Sequence, residues 1–166
     1  MNVETIIATL EQQAEVYERL LALAKEKTPY LVGNKVELIN ATIQKERRLL
    51  KAAEELEAQR MRLSGQYFTS VGMLRYKGGK ISEMIKTVTS PHEKSRLIEL
   101  HGRLTGLLDE LKHATRLNQQ LIEQSLKFID YTIDLLSDDP NSQYTYQHPR
   151  HAPYGKPSYA RYDQRR

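Results

Sequence analysis

Residues 90–137 read SPHEKSRLIELHGRLTGLLDELKHATRLNQQLIEQSLKFIDYTIDLLS, and this stretch decides the fold. Ser90-Pro91-His92-Glu93 is a capping box: the Ser90 side chain can accept from the backbone N–H of Glu93, and Glu93 can reach back. Pro91 stands at the first helical position, where a missing N–H costs nothing. No further proline occurs before Pro140. Apolar residues recur three or four apart through Leu97, Leu100, Leu104, Leu107, Leu108, Leu111, Ala114, Leu121, Ile122, Leu126, Ile129, Ile133 and Leu136. That period predicts one continuous helix, on the order of 70 Å long at ~1.5 Å per residue.

The rest of the composition agrees with an all-helical chain. Its 166 residues include 28% charged side chains, 8 Gly, 6 Pro, no Trp and only 2 Phe, which suits amphipathic helices better than a sheet. No run of about 18 apolar residues is present, and Glu4 lies where a secretory leader would be basic, so neither a membrane span nor a leader is expected. Without cysteine there is no disulfide, no thiolate nucleophile and no Cys-bound metal. The expected location is the cytoplasm.

Working outward, Val3, Leu10, Tyr17 and Ala24 stand seven apart, with Ile6, Ile7, Leu20 and Leu21 between them. This is the stripe of a bundle helix over residues 3–26, and Lys25, Lys27 and Pro29 are expected to stop it. Gly33-Asn34 supplies turn chemistry. A second helix is expected from Lys35 to about Tyr67, antiparallel to the first because the link is short. Gly72, Gly78 and Gly79 break the pattern before a short helix over Ile81–Val88, which is expected to pack across one end of the bundle. The fold class is therefore all-α: an antiparallel, coiled-coil-like bundle of three long helices plus one short one, with a domain over 1–137.

Residues 138–166 differ in kind. From Pro140 to Arg166 there is no Leu, Ile, Val, Met or Phe, but there are four prolines and Tyr144, Tyr146, Tyr154, Tyr159 and Tyr162. Such a Pro/Tyr-rich tail is expected to be disordered on its own. Its tyrosines nevertheless suit binding, since aromatic rings with few torsions make good anchors. Residues 141–166 carry five basic residues against Asp163, leaving 20 of the 25 basic and 20 of the 21 acidic residues in positions 1–140. The net charge of +4 thus belongs to the tail, and no folded basic face follows from it.

Catalysis finds no support. The histidines at 92, 101, 113, 148 and 151 include no i, i+4 pair and no His-Glu-x-x-His, and the carboxylates are scattered along helix faces. His113 and Asp109 are expected to be an ordinary surface pair. No metal and no cofactor are called for. Asn118 and Ser125 fall in or near the apolar seam. A polar residue in the seam can fix register, but the eleven residues from Leu111 to Ile122 rotate the stripe, which is expected to carry Asn118 outward.

The main physical clue is length. Two helices of roughly 24 and 33 residues cannot sheathe one of nearly 48, so the closing part of the long helix is expected to keep unpaired apolar groups. These are Leu121, Ile122, Leu126, Phe128, Ile129, Ile133, Leu135 and Leu136. Cover from Ile81–Val88 or from self-association is the plainer alternative. The other is a groove for a second protein's amphipathic helix, with the tyrosine tail alongside.

Three motifs carry a family likeness. Gly33-Asn34-Lys35-Val36-Glu37-Leu38-Ile39, then Gln44-Lys45-Glu46-Arg47-Arg48-Leu49-Leu50, then Leu56-Glu57-Ala58-Gln59-Arg60 resemble the FlgN family of flagellar export chaperones. Thr145-Tyr146 and the closing Tyr162-Asp163-Gln164-Arg165 are similar to that family's C-terminal tail, although His148–Pro157 is richer in Pro and His. The resemblance implies a small, non-enzymatic, all-helical cytoplasmic chaperone. Its clients would be hook-filament junction proteins, whose helical C-terminal segments it holds unassembled and presents to the type III export gate. Leu121, Ile122, Leu126, Phe128, Ile129, Ile133 and Leu136 are then the expected client-binding residues. Tyr144, Tyr146, Tyr154, Tyr159 and Tyr162 would touch client or gate. A homodimer in the free state stays open. The competing readings are a nucleic-acid-associated protein that uses its basic tail, and a self-assembling structural coiled coil.

Overall fold

A computed structural model describes residues 3–73 and 79–136, and their regular structure is four helices with no strand. These are α1 (Val3–Val32), α2 (Val36–Ser70), α3 (Ile81–Thr87) and α4 (Pro91–Leu136). The long helix expected from the sequence is present as one element. The Ser90 half of its capping box is made: the Glu93 N–H points at Ser90 Oγ at 3.4 Å, and the Lys94 N–H donates to the Ser90 carbonyl at 3.0 Å.

α1 is longer than expected. Lys25, Lys27 and Pro29 do not stop it, and the helix continues through the proline to Val32. The two lysines are used sideways. Lys25 pairs with Glu110 of α4, and Lys27 bridges to both oxygens of Glu46 on α2 at 2.7 Å. Pro29 cannot give the bond an N–H would make, yet the turn after it closes with Gly33 N–H to the Pro29 carbonyl at 3.0 Å. Asn34 takes the left-handed conformation (φ +50°) and Lys35 N–H returns to the Tyr30 carbonyl, so Gly33-Asn34 is the turn the sequence indicated.

α2 ends in a Schellman motif. Gly72 has φ +75°, its N–H donates to the Thr69 carbonyl, and the Met73 N–H donates to the Phe68 carbonyl at 2.8 Å. A side chain at 72 would meet nothing in space, so the glycine is needed for its backbone alone.

The chain's packing groups into two compact units, Met1–Lys127 and Phe128–Arg166. In the first, α1 and α2 run antiparallel, since Gln13 reaches Glu57 and Lys27 reaches Glu46. α1 and α4 run parallel. Arg96 holds Glu4 and Glu11, Arg103 holds Glu18 at 2.6 Å, and Lys25 holds Glu110 at 3.2 Å. The partners step by seven along both helices, as a coiled-coil seam requires.

The core lies at one end. There the start of α1 (Val3, Ile6, Ile7, Leu10) meets the end of α2 (Leu63, Tyr67, Phe68), Met84 of α3 and the start of α4 (Leu97, Leu100, Leu104). α3 therefore packs across an end of the bundle as expected, with Met84 fully buried. Because Met84 shares a cluster with Leu97, α3 is no cover for Leu121 and Leu126, which start about 36 Å further along α4. Toward the α1–α2 turn the interior thins to Leu21, Ala24 and Ala114.

The expectation that Asn118 rotates outward is wrong. It is 3% exposed, and its Nδ2 donates to the Ala24 carbonyl at 2.8 Å. Its Oδ1 lies 2.7 Å from Thr28 Oγ1, whose hydroxyl donates to it. The seam thus holds its line through Asn118, and a buried amide satisfied on both ends marks where α4 stands against α1. Ser125 is exposed and folds its hydroxyl back onto the Leu121 carbonyl.

Candidate functional site

Asn118 is the last buried residue of α4. Within the first unit, Leu121 is half-buried, while Ile122 and Leu126 are 43% and 46% exposed. Within the second, Phe128, Ile129, Ile133, Leu135 and Leu136 all lie on the described end of α4, and all are exposed. Ile129, Ile133 and Leu136 step by four and three, so they share one face. Phe128 and Leu135 lie beside that face rather than on it. The tail positions Tyr144, Tyr146, Tyr154, Tyr159 and Tyr162 fall outside the described residues, as do His148 and His151.

A second feature is a cleft of about 310 Å³ in the first unit, where Tyr17, Glu57, Arg60 and His101 gather around Leu10 and Leu104. Gln13, Glu57 and Arg60 are committed to one another there. Arg60 grips both Glu57 oxygens through Nε and Nη2 at 2.7 and 2.6 Å, and its Nη1 donates to the Gly79 carbonyl at 2.9 Å. Gln13 adds a donor to Glu57. The Arg60 guanidinium holds the Glu57 carboxyl below its ordinary range, aided by Gln13 and opposed by burial. Burial first, and the Glu57 charge second, push the Tyr17 phenol up, so it stays a neutral hydroxyl. This is a bracket that ties α2 to the chain entering α3, with no activated nucleophile in it.

That bracket has a pH signature. A lowered carboxyl pKa stabilises the fold above the ordinary value of 4.5 and loses its effect as pH falls through the folded value. Glu57→Gln should therefore lower the urea midpoint at pH 7, and the gap to the parent should narrow as pH falls below 4.5 and through the lower folded value. A gap that stays constant to pH 3 would mean the charge of Glu57 is not what is stabilising.

The profile of the FlgN protein family matches residues 1–152. The chain belongs to the FlgN family. A relative, the uncharacterized protein YvyG of Bacillus subtilis strain 168, is 28% identical over 142 residues, which cover 86% of this chain and 85% of that protein. No solved structure matches it. Membership of the FlgN family points to a flagellar export chaperone role, and that is a chaperone family rather than an enzyme family. Among the described residues no cluster of His, Asp and Glu could hold a metal ion, and no helix is long and apolar enough to cross a membrane.

For a FlgN-family chain the exposed apolar surface of α4 is the feature to weigh, and it includes residues the sequence reading left out. Leu117 is 42% exposed a turn before Leu121, and Ile98 and Leu108 earlier on α4 are exposed at 53% and 44%. Tyr131 is 60% exposed and joins Phe128 and Leu135 at spacings of three and four, making a second apolar row on the same helix end. The i, i+3, i+7 interval among these residues was the available signal.

Proposed function

We propose that this FlgN-family chain is a cytoplasmic flagellar type III export chaperone for hook-filament junction proteins. It binds their helical C-terminal segments along Leu121, Ile122, Leu126, Phe128, Ile129, Ile133 and Leu136, prevents premature assembly, and delivers them to the export gate. One observation carries the reading: the large apolar residues named from Ile122 to Leu136 are between 43% and 80% exposed. Burying each such side chain is worth about 1.5–3 kcal/mol relative to leaving it wet, so a helix that covers several of them binds firmly. A client's amphipathic helix offers that cover and loses its own polymerising stripe in doing so. The tail tyrosines Tyr144, Tyr146, Tyr154, Tyr159 and Tyr162 would add contacts to client or gate.

The test is retention of junction-protein C-terminal segments by the full chain, immobilised at matched concentration. Ile129→Asp or Ile133→Asp should each weaken retention about tenfold or more while leaving the thermal midpoint unchanged, because both side chains are exposed in the free protein. Unaltered retention would remove the site from α4. Light scattering on the same samples separates self-association, which would appear as a dimer that the two substitutions dissolve.

A further inference from the structure

Between the outer faces of α1 and α2 runs a groove of about 430 Å³, lined by Arg19, Ala22 and Leu23 of α1 and by Lys45, Arg48 and Leu49 of α2. Its floor is apolar, from Ala22, Leu23 and Leu49, and its rim is three cations. All three are exposed, and none of them is in an ion pair among the described residues. The opposite side of α1 behaves differently. There Glu4, Glu11, Glu18 and Lys25 are all matched by charges of α4. Nearby carboxylates do not close the groove: Glu15 stands a turn before Arg19, and Glu26 accepts from the Tyr30 hydroxyl at 3.1 Å.

We infer that this groove docks an amphipathic helix of a partner protein, one whose apolar stripe is flanked by carboxylates. Two antiparallel helices leave a furrow that a third helix fills by ridge-into-groove packing. The apolar floor takes the stripe, and the charge of the rim selects flanking Asp or Glu over Lys or Arg. A nucleic acid fits less well, since no aromatic ring lines the groove for base stacking. α4 contributes no lining residue, so this surface is built from other elements than the one proposed for the client.

The chain has no Trp, so a single Trp on a probe reports binding without background. Two designed helical peptides of about 20 residues share one Leu stripe, flanked by Glu in one and by Lys in the other. The Glu peptide should bind the full chain about tenfold more tightly, and salt should erase most of that preference. Arg19→Glu with Arg48→Glu should reverse the preference, and Lys45→Glu alone should narrow it, with helicity checked by circular dichroism. Ile129→Asp should leave it intact, which keeps this outcome independent of the client site. Equal affinity for the two peptides, a preference that survives charge reversal, loss on Ile129→Asp, or displacement by an equimolar short DNA duplex would each overturn the inference.

Discussion

Phe68→Ala should lower the free energy of unfolding by about 3–5 kcal/mol, read as a fall in the urea midpoint at constant slope. Phe68 is fully buried, and its ring meets that of Tyr67 edge-on with centroids 5.4 Å apart. It lies in the cluster that joins all four helices, so the cavity left by Ala faces α1, α3 and α4 together. A fall of under about 1 kcal/mol would mean that this end of the bundle collapses freely around the loss and is not the anchor of the fold.

Gly79→Ala is the companion experiment. A methyl group added at 79 would overlap Cε2 of Phe68 and sit 2.8 Å from its Cδ2, with Ser64 Cβ at 3.1 Å. Phe68 is fully buried, so its ring has no free space to swing into and the contact must be relieved at a cost of about 1–3 kcal/mol. Arg60 resists the shift because it holds the Gly79 carbonyl. The two changes share one contact and should not add: in the Phe68→Ala background, Gly79→Ala should cost far less, and a double-mutant cycle measures the difference. Full additivity would show that the glycine's place against the ring does not matter.

Gly79 also shows where sequence reading stops. Its neighbourhood reads as a helix breaker, which is true, but the reason it is glycine is an aromatic face that arrives from residues eleven positions earlier. The same division runs through the chain. The Ser90 cap, the Gly33-Asn34 turn, the helix count and most of the exposed apolar positions at the end of α4 follow from local period and turn chemistry, and were legible. What was not legible depended on knowing neighbours. Lys25 and Lys27 looked like terminal cations because Glu110 and Glu46 are remote in sequence. Asn118 looked like a residue turned outward because its partners, the Ala24 carbonyl and Thr28, belong to another helix. The groove beside Arg19 and Arg48 could not be seen at all, since charged helix faces read as solvated until packing leaves an apolar floor between them.

The seven-residue charge ladder between α1 and α4 changes sign on its last rung, from Glu18–Arg103 to Lys25–Glu110. Slide α4 one heptad in one direction and Glu110 confronts Glu18; slide it the other way and Arg103 confronts Lys25. Either displacement sets like charges side by side, and it also pulls Asn118 off the Ala24 carbonyl. The pairs act as a keyed scale more than as adhesive. They dictate which turn of α4 faces Ala24 of α1, so the register of this helix is a measurement encoded in the alternation of Glu, Arg and Lys.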